Sequence, residues 1–189
     1  MANTDKRSKK TVSAIQTTVL QMLCRERISE IKIIDLCKNA DINRTTFYLH
    51  YRGVADVLEG LCAEIVERVY TEDVAAFDFT QPYNALVFLT SCSDVFSSYK
   101  YLDDFFCSSK DADFFLIGLK NKFCENIFNK HRTQNGNVPQ NAEYIIRFLA
   151  SGMLDTYVAW LKTDKRVSLE TVFQTCAPII GAGSELLDE

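Results

Sequence analysis

Apolar residues recur every three to four positions along most of the chain, which is the spacing of one face of an α-helix. Four such runs lie at about 9–25, 33–40, 44–51 and 54–70. Only three Pro and seven Gly interrupt the sequence, too few for a sandwich or a barrel with many tight turns. The pattern therefore predicts an all-α protein.

A break at about residues 78–82 separates these four runs from a second set of helical patterns. Five further helices are predicted at 83–98, 103–109, 112–131, 141–163 and 169–180, with a surface loop over 133–139. The whole chain is thus expected to hold about nine helices.

Charge divides the chain in the same way. Residues 1–53 contain ten Lys and Arg against five Asp and Glu, a net charge of +5, whereas residues 54–189 carry −9. A basic first part on an acidic remainder is typical of a head that binds a polyanion. Chance clustering of solvated charges explains the asymmetry about equally well.

The cysteines and the overall polarity limit the environment of the protein. Seven widely spaced Cys without a C-x-x-C pair predict free thiols in a reducing cytoplasm, and only two His are present, so we expect no metal site and no cofactor. The most apolar long stretch, 144–161, contains Arg147 and Asp155, and the first ten residues lack the apolar run of a secretory signal. The sequence predicts a cytoplasmic protein without a membrane span.

The segment 33–52 is the most informative part of the sequence. Two short helices joined by a tight turn at Asp41-Ile42 would bury apolar side chains between them, with Asn43 as the N-cap of the second helix. The free face of that helix offers cations and hydroxyls suited to phosphate oxygens and base edges in a major groove. The side chains predicted to lie on this face are those of Arg44, Thr45, Tyr48, His50 and Arg52. The alternative is a small helical hairpin with an exposed polar face.

The run Ala40–Tyr51, with the helices on either side, closely resembles the turn and recognition helix of the TetR family of bacterial transcriptional regulators. The resemblance is strong over residues 9–69 and weaker over the remainder, which looks like the helical body common in Firmicutes members. It implies a helix-turn-helix head at 9–69 that binds DNA and a regulatory and dimerisation body at 70–189. A homodimer would then bind a palindromic double-stranded operator.

The resemblance also assigns roles to individual residues. Phe47 and Tyr51 would pack the recognition helix against the head. Two positions depart from the family pattern: Lys32 stands where a hydroxyl cap is usual, and Val54 where a Lys is frequent. The implied DNA-binding residues are Lys32, Asn43, Arg44, Thr45, Thr46, Tyr48, His50 and Arg52.

Most of the Phe and Tyr lie after residue 70, where they could line a cavity for a small apolar or aromatic effector or form a plain aromatic core. The expected ligand-binding residues are Phe88, Phe105, Phe106, Phe115, Tyr144 and Phe148.

The apolar stripe of the helix at 141–163 is wider than one neighbouring helix covers, so part of it is expected to meet a second subunit. An ordinary buried core helix is the alternative. The expected interface residues are Gly152, Tyr157, Trp160 and Phe173.

The sequence contains little that supports a function other than that of a regulator. No Ser-His-Asp set, no phosphate-cradling Gly loop and no paired carboxylates are recognisable, so we expect no enzyme. The leading hypothesis is a repressor released from its operator by a small effector. The alternative is an activator or adaptor of the same fold that works mainly through a protein partner.

Overall fold

The computed structural model describes the backbone of residues 2–71, 78–135 and 141–187, and the side chains of all of these except 2–6 and 130–135. Within these ranges the chain forms nine α-helices and no β-strand, which confirms the all-α prediction. The helices are α1 (Ala2–Leu23), α2 (Ile33–Asn39), α3 (Arg44–His50), α4 (Val54–Val69), α5 (Pro82–Ser97), α6 (Leu102–Ser108), α7 (Ala112–Asn135), α8 (Ala142–Leu161) and α9 (Leu169–Glu185).

Three helix ends differ from the predicted ones by more than two residues. α1 already begins at Ala2 instead of near residue 9. α7 continues to Asn135, so residues 133–135 are helical and not part of the predicted loop, whose residues 136–139 lie outside the described ones. α9 continues five residues beyond the predicted end at Ile180, although Pro178 lies inside it.

Tertiary packing explains the extra length of α9. Ile180, Gly181 and Ser184 are buried, so the last turns are held by neighbours despite their weak intrinsic helix propensity. A Cβ on Gly181 would lie 3.0 Å from the backbone oxygen of Thr80. Glycine at this position therefore lets α9 approach the segment that leads into α5.

The turn between α2 and α3 is built by local hydrogen bonds. Asp41 has φ 53°, in the left-handed region that Asp tolerates better than most side chains. The backbone N–H of Ile42 donates to the oxygen of Cys37 at 3.0 Å. Asn43 then caps α3, since its Oδ1 accepts the N–H of Thr46 at 2.7 Å. The predicted turn and N-cap are both confirmed.

Lys32 occupies the N-cap position of α2 in extended backbone, and its side chain makes no capping hydrogen bond. A lysine has no acceptor for the free N–H groups at a helix start. The first turn of α2 therefore lacks the side-chain cap that a Ser or Thr would supply.

The packing of the backbone divides the chain into two compact units. The first consists of Met1–Cys62 and Tyr99–Phe115, and the second of Ala63–Ser98 and Leu116–Glu189. The first unit thus includes α6 in addition to α1–α3. The predicted domain bounds, 9–69 and 70–189, remain a prediction.

The first unit has a core of aliphatic and aromatic side chains. α1 packs on α2 and α6, and α2 packs on α3. The N–H of Ile28 donates to Oδ2 of Asp111 at 2.7 Å, which ties the link after α1 to the link before α7. The fully buried members include Ile15, Val19, Leu36, Phe47, Leu58, Leu61 and Phe105.

The second unit is built around α5, α8 and α9, with α9 packed on both of the others. Gly183 lets α9 lie close to α8, because a Cβ there would be 2.8 Å from Cδ2 of Leu149. None of the described helices is long and apolar enough to cross a membrane.

Replacing Asn43 by Ala should lower the free energy of unfolding by about 1 kcal/mol, because the N–H of Thr46 loses its acceptor. Urea unfolding without DNA measures this. Asn141→Ala is the matched control, since Asn141 occupies the N-cap position of α8 without a side-chain capping bond. Equal losses in the two variants would contradict the assigned cap.

Candidate nucleic-acid interface

The rotation of α3 about its axis is fixed by one buried aromatic side chain. Phe47 is fully buried, and Tyr51, just after the helix, is almost so. Their ring centroids lie 6.2 Å apart. A Cβ on Gly60 would be 3.2 Å from Cε1 of Tyr51, so the glycine lets this ring lie against α4. The packing roles expected for Phe47 and Tyr51 fit this arrangement.

The opposite side of α3 is exposed. The exposed residues form two pairs at a spacing of four, Arg44 with Tyr48 and Thr45 with Leu49, which places them on one face of a helix. Thr46 and His50 are half-buried at the edge of this face. We call the four exposed residues the α3 outer face.

Two members of the α3 outer face interact with each other. The guanidinium carbon of Arg44 lies 6.0 Å from the centre of the Tyr48 ring, within the range of a cation–π contact. The Tyr48 ring stands edge-on to Phe47 at 5.4 Å between centroids. The buried phenylalanine thus orients the tyrosine, and the tyrosine restricts the arginine.

Leu49 is the member that sequence reasoning missed. Its side chain is 77% exposed, although the apolar pattern would assign a leucine to the core. The signal that could have found it is its position two residues after Phe47, on the other side of a helix that turns by about 100° per residue.

Arg52 lies after α3 and is held by the first turn of α4. Its Nη2 is 3.0 Å from Oδ1 of Asp56, and its backbone N–H donates to Oδ2 at 2.8 Å. Both hydrogen bonds lower the pKa of Asp56 below its ordinary value, and the side-chain hydrogen bond of Arg52 contributes more than its backbone hydrogen bond. The guanidinium stays exposed to solvent.

The surroundings of α3 are basic. Residues 32–52 carry four cations, Lys32, Lys38, Arg44 and Arg52, against two carboxylates, Asp35 and Asp41. Lys32, at the N-cap position of α2, is also exposed. The two helices therefore combine a positive net charge with exposed hydroxyl groups.

The predicted ligand-binding residues fall into separate groups. Phe105, Phe106 and Phe115 are buried against one another in the first unit, with ring centroids 5.5–6.0 Å apart. Phe88 lines a cavity inside the second unit, and Tyr144 and Phe148 are exposed on α8. Their role as ligand contacts stays a prediction.

The cavity at Phe88 is lined almost entirely by apolar side chains. Its volume is about 20 Å³, room for roughly one water molecule. The hydroxyl of Ser93 donates to the oxygen of Thr90 at 2.9 Å, so it is already engaged. The lining residues are Phe88, Leu89, Cys92, Ser93, Phe96, Phe123, Ala150, Met153, Leu154, Tyr157 and Phe173.

The predicted dimer residues also divide. Tyr157 and Phe173 are buried at the cavity, inside their own unit. Gly152 is exposed, and a Cβ there would have no heavy atom within 4 Å. Trp160 holds the link after α8, since its Nε1–H donates to the oxygen of Val167 at 2.9 Å and Lys165 lies over its ring. Their place at an interface stays a prediction.

No group of three or more His, Cys, Asp or Glu in the part of the chain that the structure describes is arranged to hold a metal ion. Burial raises the pKa of the thiols of Cys24, Cys37, Cys124 and Cys176.

Solved structures of similar fold cover nearly the whole chain. A TetR transcriptional regulator from Streptococcus agalactiae 2603V has a TM-score of 0.58 at 19% identity over 95% of this chain and 98% of its own. A protein assigned to the TetR family of regulators from Syntrophomonas wolfei has 0.58 at 16% over 95% of each chain. A TetR-family regulator from Streptomyces coelicolor has 0.52 at 13%, over 95% of this chain and 88% of its own.

No protein-family model and no curated protein matches the sequence. The structural likeness nevertheless confirms the predicted resemblance at the level of the fold: the chain has the TetR-family fold. That the body is of the Firmicutes type stays a prediction.

Replacing Asp56 by Asn should lower the free energy of unfolding at neutral pH and change little in strong acid. A carboxylate with a lowered pKa in the folded state stabilises above its unfolded pKa of about 4, and this contribution is lost as the pH falls through the folded pKa. Urea unfolding of parent and variant between pH 2 and 7 measures the difference. In an Arg52→Ala background the same substitution should have little effect, and a pH-independent difference would contradict the assigned pair.

Proposed function

We propose that the chain is a sequence-specific DNA-binding transcriptional regulator that acts as a homodimer on a palindromic operator. The observation that carries the proposal is the α3 outer face. A seven-residue helix buries Phe47 on one side and exposes a cation, a hydroxyl, a tyrosine and a leucine on the other. Cations and hydroxyls of this kind position a protein on phosphates, and side chains on such a helix reach base edges.

The charges around α3 support the same function. Arg44 at the start of α3, Arg52 after it, and Lys32 and Lys38 on α2 offer cations to a polyanion. Asn43 uses its Oδ1 within the cap, so it contributes to binding chiefly by setting where α3 begins. Thr46 and His50, half-buried beside the outer face, are proposed as further phosphate contacts.

An exposed stripe on α8 supports the homodimer. Tyr144, Phe148 and Gly152 follow at four-residue steps and all are exposed, with Tyr144 and Phe148 at 74% and 73%. Aromatic side chains exposed together on one helix mark an interaction surface, and Gly152 would let a second helix approach closely. We call these three residues the α8 stripe and propose that a second copy covers it.

The cavity of the second unit supports a small apolar or aromatic effector. Its lining is apolar apart from the thiol of Cys92 and the hydroxyls of Ser93 and Tyr157, and it contains no charged group, so a charged compound would lose its hydration without an opposite charge to compensate it. At about 20 Å³ it admits no such compound without side-chain movement. Binding would then favour a different conformation, as expected for a repressor released by its effector.

Duplexes that the protein selects from a random pool should contain two symmetric halves. The affinity of the protein for them should fall as the salt concentration rises, because its Lys and Arg side chains displace counterions from the DNA phosphates. Tyr48→Ala should weaken binding to the selected duplex by roughly tenfold or more. Fluorescence anisotropy at several salt concentrations measures both, and sedimentation should show an unchanged dimer.

Tyr83→Ala is the matched control, since Tyr83 is an exposed tyrosine of the second unit. It should bind DNA like the parent. If the parent retains no duplex at low salt, DNA binding is refuted and an adaptor that works through a protein partner takes its place.

Tyr144→Arg should shift the protein from dimer to monomer in analytical ultracentrifugation, because two charged side chains would be forced together in a covered apolar stripe. Tyr83→Arg introduces the same charge at a tyrosine of nearly equal exposure, 73%. A dimer in both variants, or a monomer in both, would exclude the α8 stripe as the interface.

A further inference from the structure

Leu49 has the largest exposed fraction, 77%, of any large apolar side chain in the part of the chain that the structure describes. Its neighbours on the α3 outer face are Arg44, Thr45 and the half-exposed Tyr48. Exposing a leucine to water is unfavourable. An apolar group that covers the Leu49 side chain in a complex would remove this cost.

Leu49 lies almost directly opposite the buried Phe47 on α3. At about 100° per residue, Thr45 and Leu49 point away from the buried Phe47 more directly than any other residues of α3. Arg44 and Tyr48 lie on one side of this line, and Thr46 and His50 on the other. The leucine is therefore surrounded by groups that suit phosphates and base edges.

The side chain of Leu49 suits neither a phosphate nor the polar atoms of a base edge. Leucine has no donor or acceptor, so it cannot hydrogen-bond a base or a phosphate oxygen. A protein partner fits poorly, because the only apolar groups on this helix face are Leu49 and the ring of Tyr48, and the rest of the face carries a cation and hydroxyls. The apolar group that a DNA major groove presents is the C5-methyl group of thymine.

We infer that Leu49 determines operator specificity by packing on the C5-methyl group of a thymine in each half-site. The inference rests on the proposed DNA-binding function and deepens it. The methyl group of Thr45, one helical turn earlier on the same line, borders the same contact. The polar residues of the outer face would then set affinity and register, while Leu49 selects a base pair.

Uracil in place of thymine tests the contact, because it removes the methyl group and leaves base pairing intact. The duplex selected by the parent protein is remade with each thymine of one half-site replaced in turn by deoxyuridine. One replacement should weaken binding by about fourfold, the value of one buried methyl group. In Leu49→Ala most of this preference for thymine over uracil should be lost, and Leu49→Met should restore it.

Leu186→Ala, which shortens an exposed leucine of the second unit, is the matched control and should keep the full preference. Circular dichroism of each variant checks that the helices form. If the parent binds its selected duplex but discriminates no uracil, or if Leu49→Ala keeps the discrimination, the inference is overturned and DNA binding stands. If the parent selects no duplex, both are refuted.

Discussion

Burial of the Phe47 ring is the interaction on which the candidate interface depends. α3 has seven residues, too few for a helix to be stable in water without tertiary contacts. Burying one phenylalanine contributes roughly 1.5–3 kcal/mol. The same contact fixes the rotation of the helix, since the residues one and two positions after Phe47 must then face outward. Stability and the orientation of the α3 outer face therefore have one cause.

The two ends of α3 are fixed by polar contacts. The left-handed Asp41 and the Asn43 cap set the first residue of the helix, and the pair of Arg52 and Asp56 joins its exit to α4. The ion pair of Arg52 and Asp56 has two consequences. Asp56 holds the Arg52 guanidinium in one orientation, but it also offsets part of the charge available to a phosphate. Arg52 is thus better suited to setting register than to supplying affinity.

The sequence was sufficient to predict the helices and most of the α2–α3 unit, because these depend on local patterns. The period of 3.6 marks helix interiors, and a cap residue such as Asn43 marks a start. Ends that depend on packing were missed. Pro178 and the glycines after it suggest that α9 stops, yet the buried Ile180 and the close approach at Gly181 continue it.

The same limit explains the site residues. An apolar pattern assigns leucines to the core, so Leu49 was missed, although the inward packing predicted for Phe47 implies that the residue two positions later faces outward. The many aromatic residues likewise indicate that these side chains are buried, but not in which part of the protein. Phe105, Phe106 and Phe115 pack together in the first unit, whereas Phe88 lines the cavity of the second. Sequence spacing contains nothing that separates these two groups.

α8 connects the proposed effector and the proposed dimer within the second unit. Ala150, Leu154 and Tyr157 of this helix line the cavity, while Phe148 and Gly152 are exposed. A compound larger than a water molecule must displace part of the lining, because packed interiors yield by moving whole side chains or helices. Any such movement of α8 would also move the α8 stripe, the proposed contact with a second copy. Effector binding and dimer geometry would then be coupled through one helix, without a separate route between them.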